Sequence, residues 1–76
     1  MVPRPTSGIR RVTLSIARHA YTSEIWRESE TSWVLLKVEV HRIGVVGSID
    51  FHGRSCLEVL QQGEAVALEI ISRRSG

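Results

Sequence analysis

Apolar and polar side chains alternate across residues 33–40. Val34, Leu36, Val38 and Val40 fall at every second position, with Lys37, Glu39 and His41 on the other parity. Period two with β-branched residues describes a strand with one buried face. The period returns at Val12, Leu14 and Ile16 and again at Val66, Leu68 and Ile70. Residues 9–21 therefore read as one long strand, with Arg10, Val12, Leu14, Ile16 and Arg18 on one face and Arg11, Thr13, Ser15, Ala17 and His19 on the other. Residues 22–27 continue extended. A helix over 23–32 is the competitor, but Ser29, Thr31 and Ser32 are poor helix formers and the apolar spacing is wrong.

Punctuation between these runs places the turns. Residues 28–32 are short and polar and suit a hairpin loop. Residues 42–44 (Arg-Ile-Gly) mark a bend or bulge, followed by a strand over 45–51 and a turn over 52–55. Residues 56–62 fit either one helical turn, through Leu57 and Leu60, or an extended strand, through Leu57 and Val59. Gly63 then turns the chain into a last strand over 64–72. The expected fold is all-β: a small antiparallel sheet, sandwich or barrel of five to six strands. Residues 1–8 read as a flexible arm, 9–72 as a single β domain and 73–76 as a loose basic tail.

Size turns this fold toward assembly. A chain of 76 residues buries only about 60% of the surface its unfolded form exposes. Small domains offset that deficit with disulfides, metals or association. Cys56 is the single cysteine, so neither an intrachain bridge nor a Cys-rich zinc site is available. A sheet of so few strands also leaves an open edge that invites pairing. The expected partner is thus a second copy, in an oligomer or ring. The lone thiol fits a reducing compartment, so the expected location is cytoplasmic. No apolar run approaches the length of a membrane span, and no membrane, metal or cofactor is expected among its partners.

Charge narrows the partners further. The formal net charge is only +2, yet Lys37 is the one lysine among ten cationic side chains. Arginine pairs bidentately with phosphate and stacks on bases, although codon bias in a GC-rich genome yields the same composition. Two groups stand out in sequence, Arg10 with Arg11 and Arg18, and Arg73 with Arg74. If the first and last strands are neighbours, these merge into one cationic rim able to hold single-stranded RNA by phosphate neutralisation. Trp26 and Trp33 flank the polar loop and suit a cross-strand pair, core or interface packing, or base stacking. His19, His41 and His52 lie on separate segments without triad or metal spacing, and no catalytic residue is assigned. Residues 51–55 (Phe-His-Gly-Arg-Ser) match no phosphate-loop fingerprint and read as a hairpin turn.

The order of segments resembles one family. Residues 32–47, SWVLLKVEVHRIGVVG, are similar to the amino-terminal strands of the tryptophan RNA-binding attenuation protein family, and residues 62–71, QGEAVALEII, to that family's Lys-Gly-Glu strand. Residues 7–10, Ala20-Tyr21 and residues 23–27 resemble its later strands, so the likeness runs through a circular permutation in which residues 28–32 join the family's termini. The resemblance implies a ring of small antiparallel subunits with sheets continuing across interfaces and single-stranded RNA wound outside. Of the family's basic RNA-contacting positions it carries over Arg10 alone; Val12 occupies the next, and residues 57–59 offer no basic counterpart to the third. The loop that holds free tryptophan corresponds to residues 47–51, which are shorter and contain no threonine, so free tryptophan is not carried over as a ligand.

Overall fold

The computed structural model describes residues 8–75; the arm expected over residues 1–8 lies, but for Gly8, outside the described residues. Five strands form one antiparallel sheet: β1 (Ile9–Ile16), β2 (His19–Ser29), β3 (Ser32–Val40), β4 (Gly44–Val46) and β5 (Phe51–Gly53). A single helix, α1 (Cys56–Ser75), follows. The strands lie in the order β1-β2-β3, and both β4 and β5 pair with the far side of β3. The antiparallel sheet is thus as expected, but the all-β class is corrected: α1 covers one face and makes a two-layer fold.

The segment read as a strand over 9–21 reverses at its middle. Ile16 pairs with His19, and Ala17 and Arg18 between them hold φ of 49° and 67°. A two-residue loop with both central residues in the left-handed region is a type I′ hairpin, whose twist matches that of the strands. Antiparallel register places Arg10, Val12, Leu14 and Ile16 opposite Ile25, Ser23, Tyr21 and His19, on the face covered by α1. Arg11, Thr13 and Ser15 face the other way with Glu24, Thr22 and Ala20.

Alternation in β3 is interrupted. Glu24 pairs with Lys37, but the next residue, Ile25, pairs with Leu35, so Leu36 is an extra, bulged residue. Below it Leu35 takes the core position that period two assigned to Leu36, and Val34 turns to the open face with Trp26 and His52. Above it Val38 and Val40 join Tyr21 and Ile25 in the buried core, closed by Val59, Ala67 and Ile70 of α1.

The largest correction concerns residues 56–75. The expected strand over 64–72, the turn at Gly63 and the loose tail at 73–76 are all replaced by helix through Ser75. Val59, Gly63, Ala67 and Ile70 are buried at helical spacing. Ser55 caps the helix: its Oγ accepts from the Glu58 N–H at 3.1 Å, and Ser-x-x-Glu is a recognisable start signal. Arg73 and Arg74 occupy the last turn, where positive charge complements the helix dipole. The strand expected over 45–51 also breaks: residues 47–50 loop outward between β4 and β5, with Ser48 and Asp50 at φ of 55° and 54°. The expected turn at 52–55 in turn yields His52 and Gly53 to β5.

Candidate functional site

The helix fixes which arginines share an end of the molecule. It starts beside β5, where Gly53 abuts Val59, and finishes beside β4, where Gly44 abuts Ile70. Its carboxyl end therefore lies with the 17–18 turn and the bend at 41–43, held by the His41 N–H donating to the Ala20 carbonyl at 3.0 Å. Arg18, Arg42, Arg73 and Arg74 all lie at that end, exposed and spread across its width. Arg42, like Arg18, has a left-handed backbone, at φ 65°. Only Arg73 among these four has a carboxylate partner among the described residues, Glu69 at 2.6 Å. A shallow cleft between β4 and the last turns of α1 opens at this end, floored by Gly44 and Ile70.

Arg10 and Arg11 are elsewhere. The register puts them at the opposite end of the sheet, level with Ile25 and Glu24. The single rim expected from neighbouring first and last strands is thus divided within one chain, because the last element is a helix running back across the sheet. Arg11 lies 4.0 Å from the Glu24 carboxylate, which also lies 3.8 Å from the Lys37 ammonium. This Arg11-Glu24-Lys37 row crosses three strands on the open face and sets two cations against one carboxylate. Beside it the Thr13 and Thr22 hydroxyls stand 2.9 Å apart.

Trp26 and Trp33 do not form the cross-strand pair. Trp26 pairs with Val34 and Trp33 with Arg27, on opposite faces of the sheet. Trp33 packs against the core edge with the Arg27 guanidinium 5.7 Å from its ring centroid, while Gly8 lies against the Trp26 indole.

The Leu36 bulge opens a groove on the open face. Loop 47–50 stands away from β3 there, tied back by the Ile49 N–H donating to the Leu36 carbonyl at 3.0 Å. The open groove of about 530 Å³ is lined by Glu24, Leu36, Lys37, Ser48, Ile49 and Asp50. His52 approaches Asp50 at 3.3 Å, at the other end of the molecule from His19 and His41. His41 Nε2 reaches the buried Thr22 hydroxyl at 3.4 Å, long for a hydrogen bond. The three histidines do not converge. Among the described residues no group of three His, Cys, Asp or Glu side chains is placed to hold a metal ion. No helix there is long and apolar enough to cross a membrane.

The remaining surface of note is the edge of β1, which among the described residues pairs only with β2. A two-residue hairpin makes Ile16 and His19 a hydrogen-bonded pair, so the backbone groups of Ile9, Arg11, Thr13 and Ser15 point outward, unpaired. Proteins blunt such edges with lysine, proline or a bulge. β1 has none of these, and residues 12–16 carry no charge. On its helix-facing side Leu14 is 40% exposed. Helical geometry places Leu57 and Leu68, 64% and 42% exposed, on the flank of α1 opposite the Val66–Arg73 side that faces β4. That flank is turned toward the β2 and β1 side of the sheet. Comparisons with protein-family models, with curated proteins and with solved structures found no match.

Proposed function

We propose that this protein is a non-enzymatic, homo-oligomeric β module that pairs through the β1 edge and holds single-stranded RNA with arginines. The observation that carries the reading is the unguarded edge: eight residues, uncharged over residues 12–16, with Leu14 exposed on the helix side. Pairing supplies the missing backbone partners and covers Leu14 together, which addresses the small core and the open edge in one contact.

The opposite edge supports a two-fold dimer over a ring. A ring needs a second, different edge to receive β1. There β4 and β5 offer only three residues each, interrupted by loop 47–50. Two β1 strands instead satisfy one another. A two-fold axis at Thr13 sets Val12 against Leu14, Arg11 against Ser15 and Arg10 against Ile16 of the second copy. It matches outward backbone groups to outward ones and places no arginine opposite an arginine.

Sedimentation velocity tests this directly. The wild type is expected as a dimer. Leu14→Lys and Thr13→Pro, which charge the strip and remove an outward N–H, are expected as monomers with unchanged circular dichroism. A wild-type monomer, or a closed ring, would overturn the dimer. A second reading, an assembly module without nucleic acid, draws support from the division of the arginines between two ends of one chain. Fluorescent oligouridylate titrated at two salt concentrations separates the readings, since phosphate neutralisation makes affinity fall as salt rises.

A further inference from the structure

We infer that edge pairing builds two composite phosphate-binding sites, one at each end of the dimer, in which Arg10 of one copy joins Arg18 of the other. The inference rests on the proposed β1 dimer and adds what that dimer would bind, and where. Antiparallel pairing about Thr13 runs the start of one β1 alongside the end of the other. Arg10 then stands opposite Ile16 of the second copy, two residues before that copy's turn arginine, Arg18. It also stands on the correct face. Arg10 pairs with Ile25 within its own chain, which puts it on the helix-covered side with Ile16; Arg73 and Arg74 of the second copy stand apart, beside β4 on the far side of the sheet. Two arginines separated inside one chain, Arg10 and Arg18, come together across the two-fold axis.

The electrostatics call for an anion. Among the described residues neither Arg10 nor Arg18 has a carboxylate partner, so closing the dimer brings uncompensated like charges together. A strand of phosphodiesters lying between Arg10 and Arg18 would convert that repulsion into charge-assisted hydrogen bonds. The ligand chemistry is the phosphate backbone of a single-stranded nucleic acid. Binding and dimerisation are then linked, each strengthening the other by the same factor.

Subunit mixing tests the composite geometry. Arg10→Ala and Arg18→Ala alter exposed side chains, and each alone is expected to weaken fluorescent oligouridylate binding several-fold. Each should also flatten the salt slope by about 0.7 for every phosphate no longer neutralised. In a dimer mixed from the two variants, one end regains both arginines and the other loses both. Equal mixing is therefore expected to restore about a quarter of the high-affinity sites, from two-fold symmetry alone. Sedimentation of the same samples keeps the two proposals apart. Mixed dimers without recovered binding would overturn the composite site and leave the dimer standing, whereas monomers would overturn both. Oligothymidylate of equal length is expected to bind within a few-fold of oligouridylate; loss of binding to the DNA strand would refute recognition by phosphate. Arg10→Glu provides a check on a protein that dimerises better: it should tighten the dimer by facing Arg18 while abolishing oligouridylate binding, and a weakened dimer would overturn the assigned neighbourhood.

Discussion

Gly63 of the helix rests on Ser23 at the centre of β2, so closely that a Cβ added to the glycine would stand 2.5 Å from the serine Oγ. Ser23 cannot retreat, since β2 is paired to Val12 on one side and Val38 on the other. Among the described residues its hydroxyl is buried without a hydrogen-bond partner, at a cost of about 1–3 kcal/mol for such a group. Small size on both sides sets the distance between helix and sheet. Gly63→Ala gains about 1 kcal/mol of helix propensity but overpacks a rigid contact, and a net loss of about 2 kcal/mol is expected. Ser23→Ala alone should stabilise by about 1 kcal/mol. The double variant leaves the added Cβ facing a Cβ at 3.5 Å, so the loss should largely vanish, giving a coupling of about 2 kcal/mol. Urea unfolding at one fixed protein concentration measures all three; Gly63→Ala as stable as wild type would refute the close contact.

The hairpin at Ala17 and Arg18 stores strain that can be removed. Left-handed backbone costs a residue with a Cβ about 1–2 kcal/mol, and type I′ turns are ordinarily built from Asn and Gly. Ala17→Asn and Ala17→Gly should each raise stability by about 1 kcal/mol, a rise of about 4–8 °C in Tm for a domain of this size. Thermal unfolding checks the gain. Arg18→Gly should stabilise as well, but it removes a proposed phosphate ligand, so its effects on stability and on oligouridylate binding should have opposite signs.

How far the fold can be read from its residues depends on whether local chemistry and tertiary setting agree. They agree over Val12–Leu14–Ile16 and over Val38–Val40, where alternation finds both strand and face. They also agree in the polar run before Ser32, where a hairpin is expected and occurs. They part at Ala17-Arg18, which has none of the residues that announce a type I′ turn, so the pattern shows one strand where there are two. The Leu36 bulge is invisible because Leu35 and Leu36 are equally apolar. In residues 56–75 the apolar set Val66, Leu68 and Ile70 fits period two locally, and the glycine suggests a turn. The overriding signals are the Ser55-x-x-Glu58 cap and the spacing of Val59, Gly63, Ala67 and Ile70. For the candidate site, residue type points to arginine but not to its grouping. Arg42 is hidden inside a bend, and the reversal of the last element separates Arg10 from Arg73.

The Ser55 cap carries its own test. Its hydroxyl satisfies one of the orphan N–H groups of the first turn. Removing it by Ser55→Ala should cost about 1 kcal/mol, whereas Ser55→Asp, an equally good cap that adds negative charge at the positive end of the helix, should leave stability unchanged or raised. Thermal melts of the two variants, compared with wild type, measure the difference. Equal loss in both would mean that the serine acts through something other than its oxygen.

Tyr21 links the core to alkaline pH. Burial raises its phenol above the ordinary value of 10.0, and the neighbouring Glu64 carboxylate raises it further. The folded state therefore holds the phenolic proton more tightly than the unfolded state does. That contribution is fully present below about pH 10 and is lost as pH rises through the folded value, so stability should decline above about pH 10. Tyr21 is the one tyrosine in the chain, and ultraviolet absorbance of the phenolate follows it without interference from another. Its titration should be displaced upward and should coincide with loss of circular dichroism. Tyr21→Phe keeps the buried ring, and its stability should fall less steeply over the same alkaline range. Glu64→Gln should bring the midpoint part of the way back toward the ordinary value. A titration at that ordinary value in a protein that stays folded would place the Tyr21 hydroxyl in water rather than beneath α1.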